Sequence, residues 1–204
     1  MSERGRLITV EGVDGAGKST HLPFIEARLR ANGREVIVTR EPGGTPLAEK
    51  LRAIVLAEPM DAVVETLLMF AARADHVRNL IAPLLTRGAW VLCDRFTDAT
   101  IAYQGAGKGV PAASIELLAE MSHPGLRPDR TLIFDCPYEI ALGRLRDAGK
   151  PLDRFERESR TFFDKVRQAY LDRARVEPQR VRIIDASEPL HKVRNELEKH
   201  LIFD

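Results

Sequence analysis

The chain has 204 residues, 44% hydrophobic and 30% charged, with 31 basic and 30 acidic side chains and a net charge of +1. This is the composition of an ordinary globular domain, and it supplies no overall field for nucleic acid or a membrane surface. The first residues are polar, no apolar stretch is long enough to span a bilayer, and Cys93 and Cys136 each lie beside an apolar run. A cytoplasmic protein with two reduced core thiols is therefore expected.

Leu7, Ile8 and Val10 form a short β-branched run that reads as a buried strand. Residues 12–19, GVDGAGKS, then fit the P-loop pattern in full. Small residues let backbone N–H groups turn inward, and a helix N-terminus adds partial positive charge, so the loop can nest a nucleotide phosphate. Lys18 supplies a cation for the β- and γ-phosphates and Ser19 a hydroxyl for Mg²⁺. A helix follows over 18–31, ended by Asn32 and Gly33. Residues 36–38 are a second strand, 39–45 (TREPGGT) a loop at its carboxyl end, and 46–56 a short helix. Residues 61–82 read as a longer helix, with Val63, Leu67, Phe70, Ala74 and Val77 at helical spacing. Residues 90–93 are a third strand ending at Asp94 and Arg95. Helices over 97–104 and 112–121 flank a glycine-rich loop at 105–109. A fourth strand over 131–134 ends at Asp135. A helix over 138–147 is broken at Gly149 and Pro151, a charged helix covers 155–175, a fifth strand 181–184, and a last helix 189–200.

Alternating strands and helices indicate an α/β domain with a parallel sheet. Ligands bind such sheets beyond the carboxyl ends of the strands. The loops at 12–18, 40–45, 94–109, 135–137 and 185–189 should therefore share one rim. On that rim, Asp94 is placed to hold Mg²⁺, or instead to cap a helix or pair with Arg95. Arg95 offers a planar fork for a phosphate. Asp14 is either a second metal-side acid or a turn residue. Arg40, at the end of the second strand before the Pro42-Gly43-Gly44 turn, could grip a second phosphate, but taken alone it reads no differently from a surface arginine. Phe70 and Arg73, one helical turn apart, would suit a base by stacking and hydrogen bonding, although spacing alone favours Phe70 as plain core. Phe162 and Phe163 read as packing. Tyr103 and Gln104 lie where an amide could read a base edge. Arg144, Arg146, Lys150, Arg154, Arg157 and Arg160 surround the Gly/Pro break, giving either a solvated face or a mobile basic lid.

The ordered set VEGVDGAGKST (10–20), TREPGGTPLAEK (39–50), LMFAAR (68–73), DRF (94–96), AYQG (102–105) and LDRFE (152–156) resembles the bacterial thymidylate kinases over nearly the whole chain. The resemblance implies a P-loop NTPase fold with a five-stranded parallel sheet flanked by helices. It implies a single kinase domain over 1–204, with a short lid at about 143–155. It further implies transfer of the γ-phosphoryl of ATP to dTMP with Mg²⁺, and a homodimer built on helices. By the same resemblance, Gly12, Val13, Asp14, Gly15, Ala16, Gly17, Lys18, Ser19, Thr20 and Arg144 hold ATP, with residues 186–189 near the adenine. Phe70 stacks the thymine and Arg73 bonds it, with Thr100 and Gln104 near its edge. Tyr103 lies by the sugar, Arg40 and Arg95 grip the acceptor phosphate, and Asp14 and Asp94, with Ser19, lie near the metal.

One departure stands out. Relatives carry a catalytic arginine either in the P-loop or in the lid. Residues 13–16 contain none, so the lid must supply it, yet the matching lid position is Ala148 and Lys150 and Pro151 are extra. Arg146 or Lys150 takes the role in this reading, with Arg154 a further candidate. The rival readings are another nucleoside monophosphate or nucleoside kinase, and a nucleotide switch. The switch is disfavoured because the chain lacks an Asn-Lys-x-Asp signature and because Asp94 is followed by arginine rather than a water-activating glutamate.

Overall fold

The computed structural model describes residues 4–31, 33–149 and 153–203. Strands β1 (Leu7–Glu11), β2 (Val36–Arg40), β3 (Trp90–Asp94), β4 (Arg130–Asp135) and β5 (Val181–Asp185) pair in parallel in the order β2-β3-β1-β4-β5. Around them run α1 (Lys18–Ala31), α2 (Pro46–Ala57), α3 (Ala62–His76), α4 (Ala82–Thr86), α5 (Thr97–Thr100), α6 (Ala112–Ser122), α7 (Tyr138–Asp147), α8 (Arg160–Val176) and α9 (Leu190–His200). This is the P-loop NTPase arrangement expected from the sequence.

Strand residues alternate between faces. Leu7, Val91 and Cys93 join Ile81, Leu84, Leu85 and Phe96 in one apolar cluster. Ile8, Val10 and Leu92 join Ile25, Leu29, Phe134, Val193 and Leu197 in another. β1 is buried along its whole length. Each fully buried aliphatic side chain there contributes about 1.5–3 kcal/mol. Both cysteines are free and buried. Among the described residues no helix is long and apolar enough to cross a membrane.

Several boundaries differ from the sequence reading. The helix expected over 61–82 continues past His76 through a π-helical turn, Val77–Ile81, into α4. Pro83 stands at the start of α4 and has no N–H to donate into an α-helical ladder. Val63 and Leu67, whose helical spacing marks the segment as a helix, are 55% and 49% exposed. The helix expected to end at 104 runs on as a π-helix, Ile101–Gly107, which takes in the first three residues of the expected glycine-rich loop at 105–109. A Cβ at Gly107 would lie 2.4 Å from the Phe162 ring, so glycine is what lets α8 pack against this turn. The helix expected from 155 starts at Arg160. Ser159 caps it by accepting the Phe162 N–H at 3.2 Å. Phe162 and Phe163 do pack into the core. Asn32 lies outside the described residues; Gly33, at φ 74°, follows it.

Candidate active site

Because every strand runs the same way, the carboxyl ends Glu11, Arg40, Asp94, Asp135 and Asp185 fall on one rim, with Val10 and Arg40 both in register with Asp94. The P-loop leaves this rim between β1 and α1. Gly12, at φ 128°, passes so close to β4 that a Cβ would meet the Phe134 carbonyl oxygen at 2.3 Å. Lys18 opens α1 and donates to the carbonyls of Gly12 at 2.9 Å and Val13 at 3.0 Å. Burial and the neighbouring Arg95 pull its pKa down. Ser19 and Thr20 follow in the first turn and are exposed. Arg144, from α7, donates to Ala16 O at 3.4 Å and Ala186 O at 2.8 Å, and so ties the P-loop to the loop after β5.

Arg95 joins the P-loop to a second cavity. Its backbone is left-handed, at φ 72°, a conformation rare for a long side chain. The guanidinium donates to Gly12 O at 2.9 Å, Asp14 Oδ1 at 2.6 Å, Tyr103 Oη at 3.1 Å and Tyr170 Oη at 3.3 Å. Tyr103 donates to Asp14 Oδ2 at 3.1 Å. Burial pushes the Asp14 carboxyl up, but the Arg95 and Lys18 charges outweigh it and hold the pKa at about 2. Glu11, behind this pair, is fully buried and accepts from Phe96 N–H at 2.7 Å and the Tyr170 hydroxyl at 2.8 Å. Burial and the nearby Asp98 push its pKa up to about 8. The Oδ1 atom of Asp94 is buried without a hydrogen-bond partner.

The cleft beyond Arg95 holds about 570 Å³ when its solvent-open part is included. Asp14, Arg95, Arg73, Thr100, Tyr103 and Gln104 line it together with Glu41, Arg52, Met69, Asp153 and Phe155. Arg73 is 3% exposed. Its Nε donates to Glu41 Oε2 at 2.6 Å and its Nη2 to Thr100 Oγ1 at 3.1 Å, while Nη1 has no protein partner. Glu41 also meets His76 Nδ1 at 3.0 Å. Glu41, His76 and Cys93 have ligand atoms within 4.8 Å of one another, but Arg73 on Glu41 and Thr39 on the far nitrogen of His76 already use them. Gln104 donates to Glu65 Oε1 at 2.8 Å. Glu65 is fully buried and also takes Lys108 at 2.8 Å and Arg154.

Two sequence assignments are not brought to this cavity. Phe70 is 3% exposed and packs with Val110 and Ile115 in a separate core cluster, because it is turned about 100° around α3 from its neighbour Met69. Met69, not Phe70, lines the cavity. Arg40 is exposed and pairs with Glu49 at 2.9 Å, and the arginine reaching the lining from α2 is Arg52. Among the lid candidates, Arg146 is exposed on α7, and Lys150 lies outside the described residues. Arg154 is engaged with Val55 O at 2.9 Å and with Glu65, which directs it to α2 and α3 rather than to the P-loop. Sequence reasoning missed Glu41, Arg52, Met69 and Phe155. Only Met69 left a usable signal, its i, i+4 spacing to Arg73.

A family model described as thymidylate kinase matches residues 10–197. A thymidylate kinase of Bordetella pertussis is 55% identical over 201 residues, covering 98% of this chain and 96% of the relative. One from Methylobacillus flagellatus is 55% identical over 194 residues, covering 95% of each. The crystal structure of thymidylate kinase from Ehrlichia chaffeensis superposes with a TM-score of 0.77 at 32% identity, covering 96% of this chain and 97% of that one.

Proposed function

Since this chain belongs to the thymidylate kinase family and is a dTMP kinase, we propose that the P-loop holds ATP and that the cavity beyond Arg95 holds dTMP. The observation that carries this reading is Arg95 itself. One guanidinium touches the P-loop at Gly12 and Asp14 and the cavity wall at Tyr103. A phosphate on either side would meet the same cation.

On the donor side, residues 12–20 cradle the phosphates, Lys18 neutralises them, and Arg144 sits where the loop after β5 would flank the adenine. The donor set fits Mg²⁺, since the unpartnered buried Oδ1 of Asp94 and the hydroxyl of Ser19 are hard oxygen ligands near the P-loop, with Asp14 beside them. Mg²⁺ would supply charge neutralisation on the phosphates. On the acceptor side, the free Nη1 of Arg73 aims at a base carbonyl, Thr100 and Gln104 flank it, and Tyr103 lies toward the sugar. Arg95 grips the acceptor phosphate, assisted by Arg52; Arg40 reaches it only by leaving Glu49. The acceptor is already an anion, so positioning and charge neutralisation suffice without a strong base. The lid cation is Arg146 or Lys150.

We read residues 1–204 as one kinase domain with its lid at about 143–155, working in the cytoplasm. We also read the chain as a homodimer. Leu47 and Ile54 on α2, Val63, Val64 and Leu67 on α3, and Leu117 and Met121 on α6 are exposed apolar side chains on helices that pack side by side.

The test is coupled ADP release with ATP, Mg²⁺ and each nucleoside monophosphate in turn. A strong preference for dTMP supports the base site. Equal activity with another monophosphate would break it, and ADP release without any acceptor would favour a nucleotide switch.

A further inference from the structure

We propose that Tyr170 is a positioning residue for the acceptor phosphate: its hydroxyl bridges the Arg95 guanidinium to the buried Glu11 and keeps that guanidinium turned toward the cavity. This rests on the acceptor reading of the cavity.

The backbone of Arg95 is fixed first. Its N–H donates to Val10 O at 2.9 Å, its carbonyl accepts from Cys93 Sγ at 3.1 Å, and the next N–H, of Phe96, donates to Glu11 Oε1 at 2.7 Å. These bonds hold a long side chain at a φ of 72°, a conformation that costs energy unless the surroundings enforce it. Glu11 Oε2 then accepts from Tyr170 Oη at 2.8 Å, and Arg95 Nη1 donates to the same hydroxyl at 3.3 Å. A guanidinium can only donate, so the hydroxyl accepts from it and gives its single proton to Glu11. Glu11 thus holds Arg95 at the backbone through Phe96 and at the head through Tyr170.

The hydroxyl also keeps Arg95 from turning back. Glu11 and Tyr170 are both buried, and a bare carboxyl there would compete with a phosphate for the cation. Tyr170 interposes a neutral group, and Nη2 is left to Asp14 and Tyr103 on the cavity side. Tyr170 stands on the buried stripe of α8 with Phe162 and Val166. The rings of Phe162 and Tyr170 meet Tyr103 at centroid distances of 5.9 and 6.5 Å. One helix therefore seats both Arg95 and Tyr103.

The experiment uses Tyr170→Phe, which keeps the ring and removes only Oη, and titrates it calorimetrically with dTMP and with thymidine, which lacks the phosphate. The variant should bind dTMP about fivefold more weakly and thymidine within twofold of the parent. A merely structural role would weaken both. Arg95→Asn removes the guanidinium with a residue that tolerates the left-handed backbone. It should weaken dTMP further, and adding Tyr170→Phe to it should change nothing more, because Tyr170 acts through Arg95. The thymidine comparison stands even where Arg95→Asn does not fold. The proposal is overturned if Tyr170→Phe leaves dTMP affinity unchanged, if it weakens dTMP and thymidine equally, or if the two substitutions multiply in the double variant. Unchanged dTMP affinity in Arg95→Asn would instead overturn the acceptor reading of the cavity.

Discussion

The Arg95 guanidinium and the Asp14 carboxylate meet at 2.6 Å across 81 residues of sequence, and they join the end of β3 to the P-loop. Asp14 is held at a pKa of about 2, below the ordinary 3.8, by the Arg95 and Lys18 charges. A depressed acid stabilises the fold fully above the unfolded value, and that gain is lost as pH falls through the folded one. Asp14→Asn should therefore cost about 1–2 kcal/mol at pH 7, and the difference from the parent should vanish toward pH 2. Denaturant melts across that range measure it. The same variant should raise KM for dTMP, because it frees Arg95 from its fixed position.

Glu11 has the opposite sign. Its pKa rises from 4.5 to about 8. The unfolded chain loses this proton near 4.5 and the folded chain keeps it to about 8, so stability falls as pH rises between those values. Glu11→Gln keeps a neutral group against Phe96 and Tyr170 and removes that slope. Urea denaturation should find the variant more stable than the parent at pH 8.5 by a few kcal/mol, with the gap closing by pH 5.

Lys18→Ala should lower kcat by about 10²-fold or more, since it deletes a preorganised cation at the developing phosphate charge. Circular dichroism should be unchanged. Near-normal turnover would remove the P-loop from the reaction.

Glu65 is fully buried and receives Arg154, Lys108 and Gln104. Glu65→Gln should cost about 3 kcal/mol, because two cations lose their counter-charge. Arg154→Ala should cost less, since Arg154 is partly exposed. A double-mutant cycle on the pair should give a coupling above about 1 kcal/mol. Limited proteolysis at 153–158 should quicken in both single variants.

Gly12→Ala places a methyl group 2.3 Å from the Phe134 carbonyl oxygen at a φ of 128°. Either β4 or the P-loop must shift. The expected result is a lower melting temperature together with loss of ATP binding by calorimetry, whereas a Gly33→Ala control, with open space around it, should leave ATP binding intact.

The sheet was readable because its strands are uninterrupted apolar runs such as 90–93, and parallel pairing then forces their ends onto one rim. The P-loop was readable because its glycines and lysine meet a local geometric demand. Arg73, Arg95, Thr100, Tyr103 and Gln104 were located by motif and do share one cavity. What failed was facing. Val63 and Leu67 have helical spacing but, among the described residues, no element covers them. Phe70 shares a turn with Arg73, yet a rotation of about 100° per residue puts it behind the wall rather than on it. Arg52 and Glu41 were invisible because their roles depend on which helix leans over which strand end, a tertiary fact that no local pattern encodes. The π-helical turn at 101–107 was equally hidden, since Gly107 is there for the ring of Phe162, 55 residues further on.

α3 has two working edges. Met69 and Arg73 stand on one, against the cavity, and Val63, Val64 and Leu67 are bare apolar groups on another. A single stiff rod is thus shared between nucleotide recognition and whatever rests on its outer side. Anything seated on the bare edge would bear on the same helix that presents Met69 and Arg73 to the cavity. Substitutions at Leu67, far from any phosphate, therefore belong among the positions where acceptor affinity can be tuned without touching the pocket.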